Sequence, residues 1–143
     1  MTDLPLAKGN RIITGALAQA KEMGLKPLGV VVLDAGGHVK AFQRQDGASM
    51  LRFDMGAGKA YGALSVGSGS RWLHDQAATR PHFLTGMVGI SDGKILPVPG
   101  GVLIKDKKGT ILGAVGISGD TADNDETVAV AGIEAAGLVA QKD

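Results

Sequence analysis

The chain contains no cysteine, which excludes disulfides, thiolate nucleophiles and thiolate metal sites. Aromatic residues make up only 3% of its 143 residues, so the core has to be aliphatic. A formal net charge of +1 offers no electrostatic case for nucleic acid or a membrane surface as partner. No apolar run approaches the roughly 18 residues of a membrane span. The N-terminal MTDLPLAKGN has no apolar core of signal-peptide length. A cytoplasmic protein is the expectation.

What is present is an apolar fraction of 44% and 23 glycines, which implies close backbone contacts. The length suits a single domain over 1–143 that buries roughly two-thirds of its unfolded-chain surface. No linker or low-complexity segment divides it.

Residues 97–126 organise the rest. Val102-Leu103-Ile104 and Ile111-Leu112-Gly113-Ala114-Val115 flank Asp106-Lys107-Lys108-Gly109. That pattern predicts a hairpin closed by a type I turn, with Gly109 supplying a positive φ. Residues 28–33 and 38–44 form a similar pair around Asp34-Ala35-Gly36-Gly37, a case of shared turn chemistry rather than a repeat. The continuous Val-rich run at 28–33 suits a strand buried on both faces. Amphipathic spacing predicts helices over Leu4–Met23, with Gly24 at its C′ position, over Ala48–Val66, and over Asp123–Val139. The second helix carries Met50, Phe53, Ala57, Ala60, Tyr61 and Leu64 near one side. A short helix follows over Arg71–Thr79. Residues 83–90 are apolar and ambiguous, and Ile95-Leu96 reads as a short edge strand. Hairpin-paired strands give an antiparallel sheet, with the first and last helices together on one face.

Three segments carry a family resemblance: VVVLDAGGHVKAFQRQDGA at 30–48, GKAYGA at 58–63, and PGGVLIKDKKGTILGAVGISGDTADNDETVAVAGIEAAG at 99–137. In these the chain resembles the GlcG/HbpS family, which includes the C-terminal domain of PduO-type corrinoid adenosyltransferases. The resemblance spans nearly the whole chain except about residues 65–96. It implies an α+β fold, profilin- or PAS-like, with a five-stranded antiparallel sheet flanked by helices. It also implies homo-oligomers and, since some relatives bind haem, haem as a possible cofactor. It ties haem ligation to no motif position matched here.

The chemistry-bearing residues each have a bland and a functional reading. Asp120, Asp123, Asp125 and Glu126 crowd a helix start. Asp123-x-x-Glu126 resembles a capping box; the functional reading is a metal site or a general base beside Ser118. Ser118 is not in a nucleophile elbow, because Gly119 follows it directly; it reads as a polar pocket residue. His38, His74 and His82 have no zinc-ligand spacing. Any one could ligate haem iron, and His74, beside Arg71 and Trp72, is the best placed: the arginine could pair a propionate and the indole line a ring pocket. Arg44 and Asp46 read as a strand-end ion pair or as pocket contacts. Lys59 either snorkels to water or, if buried, acts as a base. Gly100-Gly101 is a strand-entry bend or a cavity wall.

These place a ligand pocket between Gly100-Gly101, the Gly116–Asp120 strand exit and the helix of Lys59, with Arg71 and His74 at its mouth. The leading reading is a protein that binds a small ligand, haem or another tetrapyrrole, through Arg44, Arg71, His74, Gly100, Gly101 and Ser118. The alternative is a cofactor-independent enzyme acting on a small organic acid in a catabolic pathway, with Lys59, Asp120 and Asp125 catalytic and Arg44 on the carboxylate. A structural or sensory oligomer is the third.

Overall fold

The computed structural model describes residues 3–143. Helix α1 (Leu6–Met23) is followed by strands β1 (Gly29–Asp34) and β2 (Val39–Arg44), then by α2 (Arg52–Val66) and α3 (Ser70–Asp75). A 3₁₀ turn over Gln76–Ala78 leads to α4 (Pro81–Ile90). Strands β3 (Gly101–Lys105) and β4 (Ile111–Ser118), helix α5 (Ala122–Ala135) and strand β5 (Val139–Gln141) complete the chain. The strands form one antiparallel sheet in the order β2-β1-β4-β3-β5. The fold is α+β, as expected.

Both Asp-x-x-Gly hairpins form, with the same turn chemistry. Asp34 Oδ1 accepts from Gly36 N and His38 N, and Asp106 Oδ1 accepts from Lys108 N and Thr110 N. Gly37 and Gly109 take φ of 82° and 87°, which a side chain would oppose. Strand β1 alternates between two cores. Val30 and Val32 face α1 and α5, while Val31 and Leu33 face α2. The first and last helices do share a face.

The glycines explain how thin the layers are. An added Cβ at Gly116 of β4 would lie 1.7 Å from the Gly56 carbonyl oxygen of α2, and one at Gly101 would lie 2.1 Å from the Lys59 carbonyl oxygen. Helix α2 therefore rests on the sheet backbone to backbone. On the opposite face, a Cβ at Gly132 of α5 would lie 2.4 Å from the Ile12 carbonyl oxygen of α1. The close backbone contacts implied by the glycine content are made within the chain.

Three expectations change. No strand forms at Ile95-Leu96; Leu96 N donates to Gly58 O in the middle of α2 instead. The fifth strand is β5, on the far side of β3, because the last helix does not run to Val139. Gly137 takes φ 76°, Gly137 N donates to Glu134 O and Leu138 N to Ile133 O, and this pair of bonds stops α5. Gly24 ends α1 the same way, where it was anticipated. Third, α2 begins at Arg52, so Met50 is 83% exposed and not in its stripe. The ambiguous residues 83–90 are helical, within α4.

Candidate functional site

Lys59, Asp120, Asp125, Ser118, Gly100 and Gly101 come together around the C-terminal end of β4, where their polar groups are taken up within the fold. Lys59 leaves α2, passes the start of β3 and reaches α5 on the other face of the sheet. Its Nζ donates to Ile117 O at 2.8 Å and to Asp125 Oδ2 at 3.0 Å. Lys59 is 2% exposed and Asp125 1%. Burial pulls the Lys59 ammonium below its usual range, with Asp125 opposing. Burial pushes the Asp125 carboxyl up, with Lys59 opposing. The second oxygen of Asp125 accepts from Asp120 N at 3.0 Å.

Gly100 and Gly101 make room for this strut. A Cβ at Gly100, where φ is 123°, would meet Lys59 Cδ and Nζ at 2.9 Å. Gly101 N donates to Ser70 Oγ at 2.8 Å. Ser118 Oγ accepts from Arg52 Nη1 at 2.9 Å. Asp120 accepts from Asn124 Nδ2, Lys26 N and Thr121 N; these bonds, led by Asn124, hold its carboxyl down to about 2. The expected pocket between these elements is therefore filled by Lys59.

The acidic helix start divides by partner. Thr121 caps α5, its hydroxyl accepting from Asn124 N at 3.2 Å, so Asp123 and Glu126 do not form a capping box. Both instead hold Arg71. Its Nε donates to Glu126 Oε2 at 2.9 Å and its Nη2 to Asp123 Oδ1, and these bonds, Glu126 first, raise the guanidinium. Arg71 thus ties α3 to α5. No group of three or more histidine and acidic residues is placed to hold a metal among the described residues.

His74 stands exposed near the end of α3, and His82 is exposed on α4. Trp72 packs edge-on to Phe83 at 6.0 Å, and the Arg80 guanidinium lies 5.7 Å from the Trp72 ring and 4.3 Å from Phe83. Arg44 Nη1 donates to Ala48 O at 3.1 Å. Arg44 and Asp46 line a shallow cleft of about 470 Å³ with Leu25, Pro27 and Gln45, and the two are not ion-paired.

A different cleft, of about 430 Å³, opens between the β1–β2 turn and α2. Its lining includes the apolar Leu33, Val39 and Ala57 and the polar His38, Asp54, Tyr61 and Lys94. The Lys94 ammonium lies 5.7 Å from the Tyr61 ring centroid. Gly37 lets the turn close on the ring: a Cβ there would come within 3.2 Å of Tyr61 Cε2. The sequence reading missed this group. The pattern puts Tyr61 among apolar residues near one side of the second helix, and of the four only His38 is weighed for chemistry. The available signal was Tyr61 in the GKAYGA segment opposite the Gly36-Gly37-His38 turn.

A family model described as haem degrading protein HbpS-like matches residues 4–134. A 15.0 kDa protein from the dhaT-dhaS intergenic region of Citrobacter freundii is 29% identical over 126 residues, 88% of this chain and 87% of the relative. Klebsiella pneumoniae protein ORFY is similar in structure, with a TM-score of 0.84 at 25% identity over 96% of this chain and 92% of its own. A double mutant of Streptomyces reticuli HbpS matches with a TM-score of 0.80 at 26% identity, over 94% of this chain and 87% of its own. A PduOC:haem complex shares the fold at a TM-score of 0.84 and 23% identity, over 95% of this chain and 96% of its own.

Proposed function

The chain belongs to the HbpS-like family, and from that membership we propose that it binds a small ligand, haem or another tetrapyrrole. The family match over residues 4–134 carries this reading. The PduOC relative of the same fold, crystallised with haem, supports it. The residues present are compatible with such a ligand: neutral imidazole suits iron, a cation suits a propionate, and an apolar wall suits the macrocycle. The sequence favours His74 as the iron ligand; the structure offers a second imidazole, His38, at a cleft.

The test is a visible absorption titration of the protein with haem. A Soret band distinct from that of free haem, saturating at a defined stoichiometry, is the expected result. A spectrum that remains that of free haem would remove the reading. The enzyme alternative draws no support from the geometry. Lys59 and Asp125 are bonded to each other in the interior, and Asp120 is engaged with Asn124 and two backbone amides.

We also propose a homo-oligomer. The thin faces of α1, α2 and α5 are already consumed inside the chain, so the subunit contact has to lie elsewhere. Helix α4, PHFLTGMVGI, is the apolar helix with none of its 10 residues buried. It is held to the body through Trp72, Arg80 and Phe83, and Ile90 is 84% exposed. Exposed apolar surface of this kind marks an interaction site, and a second copy is the occupant the family membership favours. Light scattering is expected to give a multiple of 14.5 kDa, and Met87→Lys with Ile90→Lys to reduce it toward the monomer. A monomeric wild-type protein would count against this.

A further inference from the structure

We propose that the cleft between the β1–β2 turn and α2 is the ligand site, with His38 as the iron ligand and Lys94 as the partner of a propionate; this rests on the tetrapyrrole reading above. The argument is one of availability. A ligand site needs polar heads that the fold has not already used. At the end of β4 they are spent: Lys59 on Asp125, Arg71 on Glu126 and Asp123, and Ser118 on Arg52. At the cleft, His38, Asp54 and Lys94 are exposed, and none of the three is in an ion pair among the described residues. These three and Tyr61 line one cleft.

The chemistry of this set matches a tetrapyrrole better than it matches a small acid. Imidazole and phenolate are both ligands of haem iron. His38 sits on the rigid Asp34–Gly37 turn, where its backbone N–H is fixed by Asp34 Oδ1 at 3.0 Å. Leu33, Val39 and Ala57 offer apolar contact to one edge of a macrocycle. The cleft is open to solvent, and Lys94 in its lining would pair a propionate. Asp54, at the same cleft, would accept from a bound water and disfavour a propionate on its side.

The experiment is a haem titration of wild type and single variants, each first shown by circular dichroism to be folded. His38→Ala should shift or abolish the Soret band and weaken binding by about tenfold or more. Lys94→Gln should weaken it by up to about fivefold without moving the band, as expected for an exposed ion pair. Ala57→Leu, which replaces no histidine, narrows the cleft and should also weaken binding. His74→Ala and His82→Ala should keep the wild-type spectrum. If wild type binds haem and the His38, Lys94 and Ala57 variants are all unchanged, the site is overturned while the tetrapyrrole reading stands. If His74→Ala alone loses the band, the iron belongs at α3 and the cleft is again overturned. If wild type does not bind haem, both fall.

Discussion

Replacing Lys59 by methionine should destabilise the protein by about 3–5 kcal/mol, the usual cost of removing one partner from a buried ion pair. For a chain of this size that lowers the melting temperature by roughly 10–20 °C. Methionine fits the channel beside Gly100, so the loss is electrostatic and not steric. What remains is the Asp125 carboxylate, 1% exposed, with Asp120 N as its one remaining hydrogen-bond partner. Asp125→Ala should cost a similar amount, since it strands the Lys59 ammonium. The double variant Lys59→Met/Asp125→Leu should recover most of either loss, because two well-packed apolar groups replace two desolvated charges. A single-variant cost below about 1 kcal/mol would show that water reaches the pair.

The pH dependence of that variant has a definite sign. In wild type, burial pushes Asp125 above its ordinary 3.8, and Lys59 opposes the shift. Without Lys59 the opposition is gone and the folded-state value climbs further. A carboxyl whose folded value lies above its unfolded one favours the folded state below the unfolded value. That stability is lost as pH rises from about 3.8 through the folded value, because the unfolded chain ionises first. The deficit of Lys59→Met relative to wild type should therefore be largest at neutral pH and shrink toward pH 4. Urea denaturation at pH 4, 5.5 and 7 measures it. A deficit that grows on acidification would contradict a buried, unpaired Asp125.

This pair also shows why the fold was more legible than the site. Strand and turn signals are local: Asp34 and Asp106 each precede a glycine by three residues, and that alone predicts both hairpins. Gly24 was read as a helix stop from the same kind of signal. Gly137 carried the same signal but lies in a run of small residues that continues the helical pattern, so β5 was hidden. Site residues depend on what lies across the sheet. Nothing near Lys59 in sequence says that the first turn of α5 will supply a carboxylate, nor near Arg71 that Asp123 and Glu126 will claim it. The motif residues drew attention because they are chemically rich, and the fold uses that richness to lock α2 and α3 onto α5. Tyr61 and Lys94 drew none, since each has an ordinary role in its own segment. Only the turn of β1–β2 brings His38 to face them.

Gly116→Ala should be among the most damaging single-methyl changes in the chain, costing about 3 kcal/mol or more, the upper range for overpacking a core. The added Cβ would lie 1.7 Å from Gly56 O and 3.0 Å from Ala60 N. These are backbone atoms of a helix, and no rotamer change relieves them. Helix α2 has to lift from β4 by more than an ångström. That opens the contacts of Ala60 and Ala63 with Val31, Leu103 and Ala114, and it draws Lys59, on the same helix, away from Ile117 O and Asp125. The loss should therefore be less than additive with Lys59→Met, since both disturb one contact network. Gly86→Ala and Gly89→Ala are the opposite case. Both glycines lie in α4 with nothing within 4 Å of an added Cβ. There the substitution only restricts the unfolded chain and should stabilise by about 0.5–1 kcal/mol. Urea midpoints at constant m-value separate the two signs. A Gly116→Ala protein within about 1 kcal/mol of wild type would mean that α2 slides on the sheet, and the backbone contact would then not be what holds Lys59 in its channel.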